Sequence, residues 1–360
     1  MRAADHARRL TGAWLEALGL GPRSTPARVL HAAPLFDLLA FAAPHAPGPA
    51  LLLVPAPIKR AYIWDLAPAV SVVRRALERA FRVYLLRWAE PGPRVAPAGL
   101  AEYTAGALGA AVAAVARDGP RGAALGLVGH SLGGTLATIL TALHPDRVAA
   151  LVLVEAPLCF AGAGGGALGP VLAALRLDAL ACRAGAIPGT ALDWVAASAA
   201  PELFVWARWA DRFASAADPA AWLLHHRVER WLLDEVALSG RLLADVVEQL
   251  YRTDALRRGT LTIGGRRIGP DRVPVPVLAV VDPVSRLVPP AAVLPFLAAA
   301  RTRDTALLAH PAEVGTALPH VTALVGRRAH QALWPQILDW LEARLARPAR
   351  RPTGARARAA

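Results

Sequence analysis

Six short apolar runs, set apart by stretches with helical spacing, constrain this chain more than any other feature. They are "ALLLVPAP" (50–57), "RVYLLRW" (82–88), "ALGLVG" (124–129), "RVAALVLVEAP" (147–157), "VPVLAVVDP" (275–283) and "TALLAH" (305–310). Each is too short for a buried helix and is bounded by Pro, Gly, Asp or Arg, so each reads as a strand, and the first, closed by prolines, as a buried one. Between them lie "IWDLAPAVSVVRRALERAF", an Ala-rich stretch over 97–117 and "SLGGTLATILTALH", all with helical periodicity. Strands alternating with helices predict an α/β fold: a mostly parallel central sheet flanked by helices.

The alternation breaks between 158 and 270. This stretch is helical in pattern, apart from an expected hairpin at "TLTIGGRRI" with Gly264-Gly265 at its turn. It reads as a helical cap inserted into a core formed by 46–157 and 271–346. Its tryptophans, Trp194, Trp206, Trp209, Trp222 and Trp231, suggest a large apolar lid. For most of them, packing inside the cap is the plainer expectation. Residues 1–45 read as helical and then irregular. The Pro- and Arg-rich end, 347–360, reads as a disordered basic tail.

Composition narrows the function. Hydrophobic residues make up 55% of the 360 and charged residues 19%, enough apolar material for a substantial core. The net charge of +13 is carried by Arg, with Lys59 the single lysine. The arginines are dispersed and form no basic stripe interleaved with aromatics outside the tail, so no nucleic-acid partner is expected. Cys159 and Cys182 stand in no metal-like or redox spacing, which fits a reduced, cytoplasmic setting. No cofactor and no metal is expected. The N-terminus lacks the apolar core of a signal peptide. One uncharged run, 156–175, has the length of a membrane span, but Gly162, Gly164, Gly165, Gly166, Gly169 and Pro170 suit a loop better.

The chemistry centres on "GHSLGG", which follows the third run and opens a helix. In G-x-S-x-G the serine sits on a sharp strand-to-helix turn, and small neighbours on either side let the chain turn there. Ser131 is the expected nucleophile. The helix behind it directs its free N–H groups at the site, where they favour a developing oxyanion. A serine needs a base, and the base an orienting acid, in the chain order Ser, acid, His. Asp282, at the end of the strand "VLAVV", is the expected acid and His320 the expected base. Glu155, at the end of the fourth run, is the alternative acid. His310 and His330 are weaker rivals for the base. The oxyanion hole should combine the Leu132 N–H with one from the loop after "LLLV". Pro55 and Pro57 have no N–H to give, so Ile58 is expected, with Lys59 next to it.

Several segments resemble the poly(3-hydroxyalkanoate) synthases: "LLLVPAPIKRAYIWDLAPAVSVVRRALERAFRVYLLRWAEPGP", "PVLAVVDPVSRLVPP" and "PHVTALVGRRAHQALWPQILDWL". The resemblance covers about 48–157 and 245–345 and implies an α/β-hydrolase fold. It also implies an acyl ester or acyl-CoA substrate, with a polyester granule or a second copy of the chain as partners. Three departures bear on mechanism. The synthases use a cysteine in G-x-C-x-G where this chain has Ser131. Their acid falls at the position of Ser285, three residues after Asp282. Their oxyanion-side Asn corresponds to Lys59. A thiolate is the better acyl carrier in thioester exchange, whereas a Ser-His-acid site more often ends in hydrolysis. The expected function is therefore a serine acyl hydrolase or acyltransferase acting on an ester or thioester. The alternatives are a synthase-type polymerase using 3-hydroxyacyl-CoA and a non-catalytic synthase-like subunit that binds a granule or a partner.

Overall fold

In the computed structural model, residues 2–41, 48–92, 97–176 and 185–346 are described. Eight strands form one sheet: β1 (Arg28–Ala33), β2 (Phe36–Ala40), β3 (Ala50–Val54), β4 (Arg82–Trp88), β5 (Leu125–His130), β6 (Ala150–Val154), β7 (Val277–Val281) and β8 (Thr305–Ala309). Their spatial order is β1-β2-β4-β3-β5-β6-β7-β8. From β4 onward every neighbouring pair is parallel, whereas β1–β2 and β2–β4 are antiparallel. All six apolar runs supply strands of this sheet, and the α/β architecture is the expected one.

The central strands β3, β5, β6 and β7 are buried at every position. That is why they read as continuous apolar runs without alternation. The N-terminal segment differs from its expectation, since 28–40 is a hairpin on the sheet edge. Its strands alternate or lie half exposed, so they carry little apolar signal.

Helices cover both faces. The labels used below are α1 (Arg2–Leu15), α2 (Val72–Glu78), α3 (Gly109–Asp118) and α4 (Leu132–Leu143) in the first half. In the cap they are α5 (Gly189–Ala199), α6 (Ala207–Ser215) and α7 (Pro219–Leu232), and α8 (Trp334–Leu345) closes the chain. Helix α4 is buried along nearly its whole length, since it packs beneath the sheet and against the helical turn before α3.

The cap hairpin forms where expected. Leu261–Ile263 pairs with Arg266–Ile268 around Gly264 and Gly265, both left-handed. The uncharged run 156–175 is a loop with a short turn at Gly162–Gly165 and the helix Gly169–Ala174. Among the described residues no helix is long and apolar enough to cross a membrane. The Trp expectation fails for most of the cap. Trp194 and Trp206 are each 66% exposed, Trp209 is 50% and Trp222 38%, and Trp231 alone of the five is buried. Cys182 and the tail 347–360 lie outside the described residues.

Candidate active site

The nucleophile turn is built by steric necessity. Ser131 holds φ 55° and ψ −135°, a left-handed backbone costly for any residue with a side chain. Two glycines make it feasible. A Cβ on Gly129 would stand 2.4 Å from the Gly134 Cα, and one on Gly133 would stand 2.2 Å from the Val54 carbonyl oxygen. The first contact lets β5 turn straight into α4. The second lets α4 abut the loop that leaves β3. The turn is pinned by Ser131 N–H donating to the Val154 carbonyl (3.1 Å), and by Gly134 N–H donating to the Ser131 carbonyl (2.9 Å).

The residues expected to supply the two oxyanion donors line one cavity. Leu132 is the first residue of α4, so its N–H has no intrahelical acceptor. Ile58 lies in the loop after β3, and both residues line the same cavity as Ser131. Lys59 faces that cavity too, but its ammonium is committed to the cap. It donates to the Leu232 carbonyl (2.8 Å) and lies 3.2 Å from the Asp193 carboxylate. Burial pulls its pKa below the ordinary lysine value.

His320 enters from the loop after β8, on a short 3₁₀ turn at Pro319–Val321, and is buried. Its Nδ1 lies 3.1 Å from Glu155 Oε2. Glu155 directly follows β6, is 2% exposed and holds φ 43°. That left-handed turn at the strand end aims its carboxylate at the imidazole, while its N–H donates to the Val280 carbonyl of β7 (2.9 Å). Asp282 ends the neighbouring strand β7 and is equally buried, but it makes no hydrogen bond to His320. One of its oxygens instead accepts the Val284 N–H (3.0 Å), closing a turn of its own loop. The carboxylate in contact with His320 is therefore the alternative acid, Glu155, and not the first choice, Asp282. Ser285, at the position of the synthase acid, accepts the Val288 N–H (3.1 Å) and likewise serves its own turn.

One neighbour of the site, His130, went unmarked in the sequence reading. Its Nε2–H donates to the His320 carbonyl (2.9 Å), and the two rings lie 4.6 Å apart. It thus ties the nucleophile turn to the His320 loop. Its position between Gly129 and Ser131 was the available signal. Burial depresses His130 to about 3 and His320 to about 4, so both are neutral at pH 7. Burial first, and the nearby Asp282 charge second, push Glu155 well above the usual carboxylate range. The rivals are occupied elsewhere. His310 pairs with Glu313 (2.9 Å), and His330 Nε2–H donates to the Leu324 carbonyl (2.8 Å).

Ser131 and His320 open onto one cavity of about 690 Å³, with walls from the core and the cap. Leu132, Phe160, Leu172, Trp194, Phe204 and Trp231 are among its mostly apolar lining. Its volume and lining suit an apolar acyl chain. Among the described residues, no group of three or more His, Cys, Asp or Glu side chains could hold a metal ion.

A strained serine between β5 and α4, with a histidine delivered after the last strand of an eight-stranded sheet, defines a class. Residues 51–311 match the family model of the alpha/beta hydrolase fold, and the chain belongs to that family. The chain is 30% identical over 301 residues to the poly(3-hydroxyalkanoate) polymerase subunit PhaC of Haloferax mediterranei, covering 82% of this chain and 58% of that one. It is equally similar to the PhaC subunit of Haloarcula marismortui, covering 82% and 61%. The chain thus spans about three-fifths of the length of these relatives. A solved hydrolase from Pseudomonas aeruginosa superimposes with a TM-score of 0.53 at 21% identity, covering 88% of this chain and 98% of that one. It shares the fold.

Proposed function

We propose that the chain is a serine-dependent acyl hydrolase or acyltransferase acting on an ester or thioester. The observation that carries this reading is that His320, in contact with Glu155, shares with Ser131 the wall of the apolar cavity. His320 Nε2 accepts the proton of Ser131 Oγ as the oxygen attacks the acyl carbonyl. Glu155 holds Nδ1–H and so presents Nε2 as the base. The oxyanion that forms is met by the N–H groups of Leu132 and Ile58, assisted by the N-terminal end of α4. Collapse of the intermediate returns the His320 proton to the leaving alcohol or thiol and leaves an acyl-Ser131 ester. Water, or an acceptor hydroxyl, then enters with His320 again as base. Asp282 acts through its charge on Glu155.

The similarity to polymerase subunits favours a second reading, in which the acceptor is the hydroxyl end of a growing polyester. Serine in place of the synthase cysteine argues for hydrolysis first, because an oxygen ester is a poorer store for an acyl group awaiting thioester exchange. Labelling with a fluorophosphonate tests the nucleophile, and Ser131 is the expected site of modification. Absence of labelling in folded protein would falsify the reading. Product analysis with 3-hydroxybutyryl-CoA separates the alternatives: free hydroxy acid is expected, and accumulating polymer would establish the polymerase.

A further inference from the structure

The loop that delivers His320 is held from two sides by carboxylates. Glu313 belongs to the loop itself. It accepts the N–H groups of Arg328 and Ala329 (2.8 Å each) and pairs with His310. The other carboxylate comes from the cap. Asp211, on α6, reaches across to the core, where Oδ1 accepts the Gly315 N–H (2.8 Å) and Oδ2 accepts the Ala317 N–H (2.8 Å). Oδ2 also accepts Nδ1–H of His225, on α7, at 2.7 Å. His225 is 1% exposed and the Asp211 side chain 13%, so the cluster is shielded from water.

The two loop residues that Asp211 binds are the ones in unusual backbone. Gly315 has φ 94° and Ala317 has φ 56°. A Cβ at Gly315 would stand 2.9 Å from the Ala221 backbone on α7, so the loop presses directly on the cap there. Ala317 is fully buried, has a Cβ, and still holds a left-handed conformation. Such a residue persists only where its surroundings over-determine it. Three positions later the chain reaches His320. No residue of the core supplies the acceptors that Asp211 supplies.

We propose that Asp211 is a positioning residue, through which the cap sets the His320 imidazole against Glu155 and Ser131. This inference rests on the Ser131–His320–Glu155 reading of the site. Moving α6 away from the core would break both loop hydrogen bonds and release the turn at Ala317. Displacement of α6 and competence of His320 are therefore mutually exclusive. Helices α6 and α7 are a fixed wall of the site rather than a hinged part of the cap.

The test uses the full chain as wild type, Asp211→Asn, Asp211→Glu and His225→Gln, with thermal unfolding to show that each is folded. In Asp211→Asn an amide NH₂ replaces one acceptor and faces a backbone donor. Misplacing a catalytic group by about 1 Å costs about 10²-fold. The expected result is a loss of that order in kcat and in fluorophosphonate labelling, with KM for a p-nitrophenyl ester changed less than about threefold. Asp211→Glu keeps the charge and two acceptors and should recover part of the loss; it also serves if Asp211→Asn does not fold. His225→Gln leaves both loop bonds in place and should stay within about threefold of wild type. The second readout is the proton resonance of His320 Nδ1–H bonded to Glu155, assigned by its loss in Glu155→Gln. It should shift or broaden in Asp211→Asn. A folded Asp211→Asn with the wild-type resonance and the wild-type labelling rate would overturn the proposal. If wild type itself is not labelled, the reading of Ser131 as nucleophile fails, and the resonance still decides the role of Asp211.

Discussion

The nucleophile turn and the His320–Glu155 pair are neighbours in space but are made in different ways. The turn is assembled from one contiguous segment, 125–143, in which Gly129 answers a contact within that segment and Gly133 one with the adjoining β3 loop. The pair is assembled from residues 165 positions apart, and three further elements hold it. His130 binds the His320 carbonyl, Val280 accepts the Glu155 N–H, and Asp211 fixes the loop. The first is a local device. The second exists only once sheet and cap have closed around it. Local devices leave legible motifs, whereas assembled ones leave isolated titratable residues.

The largest expected effect breaks the local half. Ser131→Ala should lower ester turnover by about 10³-fold or more, measured as initial rates, with binding of a non-hydrolysable acyl analogue retained. Breaking the assembled half comes next. Glu155→Gln should cost about 10³-fold in kcat, because the amide no longer favours the Nδ1–H form of His320. Asp282→Asn should cost less than about tenfold at pH 7, since Asp282 does not touch the imidazole. An equal loss in the two variants would mean that Asp282 shares the acid role.

The same pair sharpens under titration. The Asp282 charge raises Glu155, so neutralising it in Asp282→Asn lowers the Glu155 pKa. The catalytic form needs Glu155 ionised and His320 neutral. The acid limb of the pH–rate profile should therefore move to lower pH in Asp282→Asn, and an upward move would contradict the placement of the two carboxylates. The smallest effect is on stability. His130, His320 and His330 are depressed to about 3, 4 and 4 by burial, while in the unfolded chain they titrate near ~6.5. Between these limits the unfolded state binds more protons. Their contribution to stability is thus full above about pH 6.5 and declines as pH falls toward 4. Between pH 7 and pH 5 the urea midpoint of wild type should fall relative to that of His130→Asn.

Much of the fold was readable because burial on both faces forces continuous apolar strands, and the runs at 50–57, 147–157 and 275–283 show this directly. The edge hairpin 28–40 was not, because strands that are half exposed carry a weak pattern. The cap tryptophans misled for a related reason: apolar composition shows that a side chain can be buried, and packing area decides whether it is.

By itself the sequence determined six of the eight strands of the sheet, the turn at Gly129–Gly133 and the identity of Ser131 and His320 as the residues to watch. These follow from short-range sterics and from periodicity, which are written residue by residue. Only the tertiary structure decided which carboxylate meets His320. Glu155 and Asp282 end adjacent parallel strands at nearly the same height, and nothing in their neighbours' identities separates them. The left-handed backbone at Glu155 turns one carboxylate toward the imidazole, and the Val284 N–H claims the other. That choice, like the grip of Asp211 on the His320 loop, depends on where distant backbone groups come to rest.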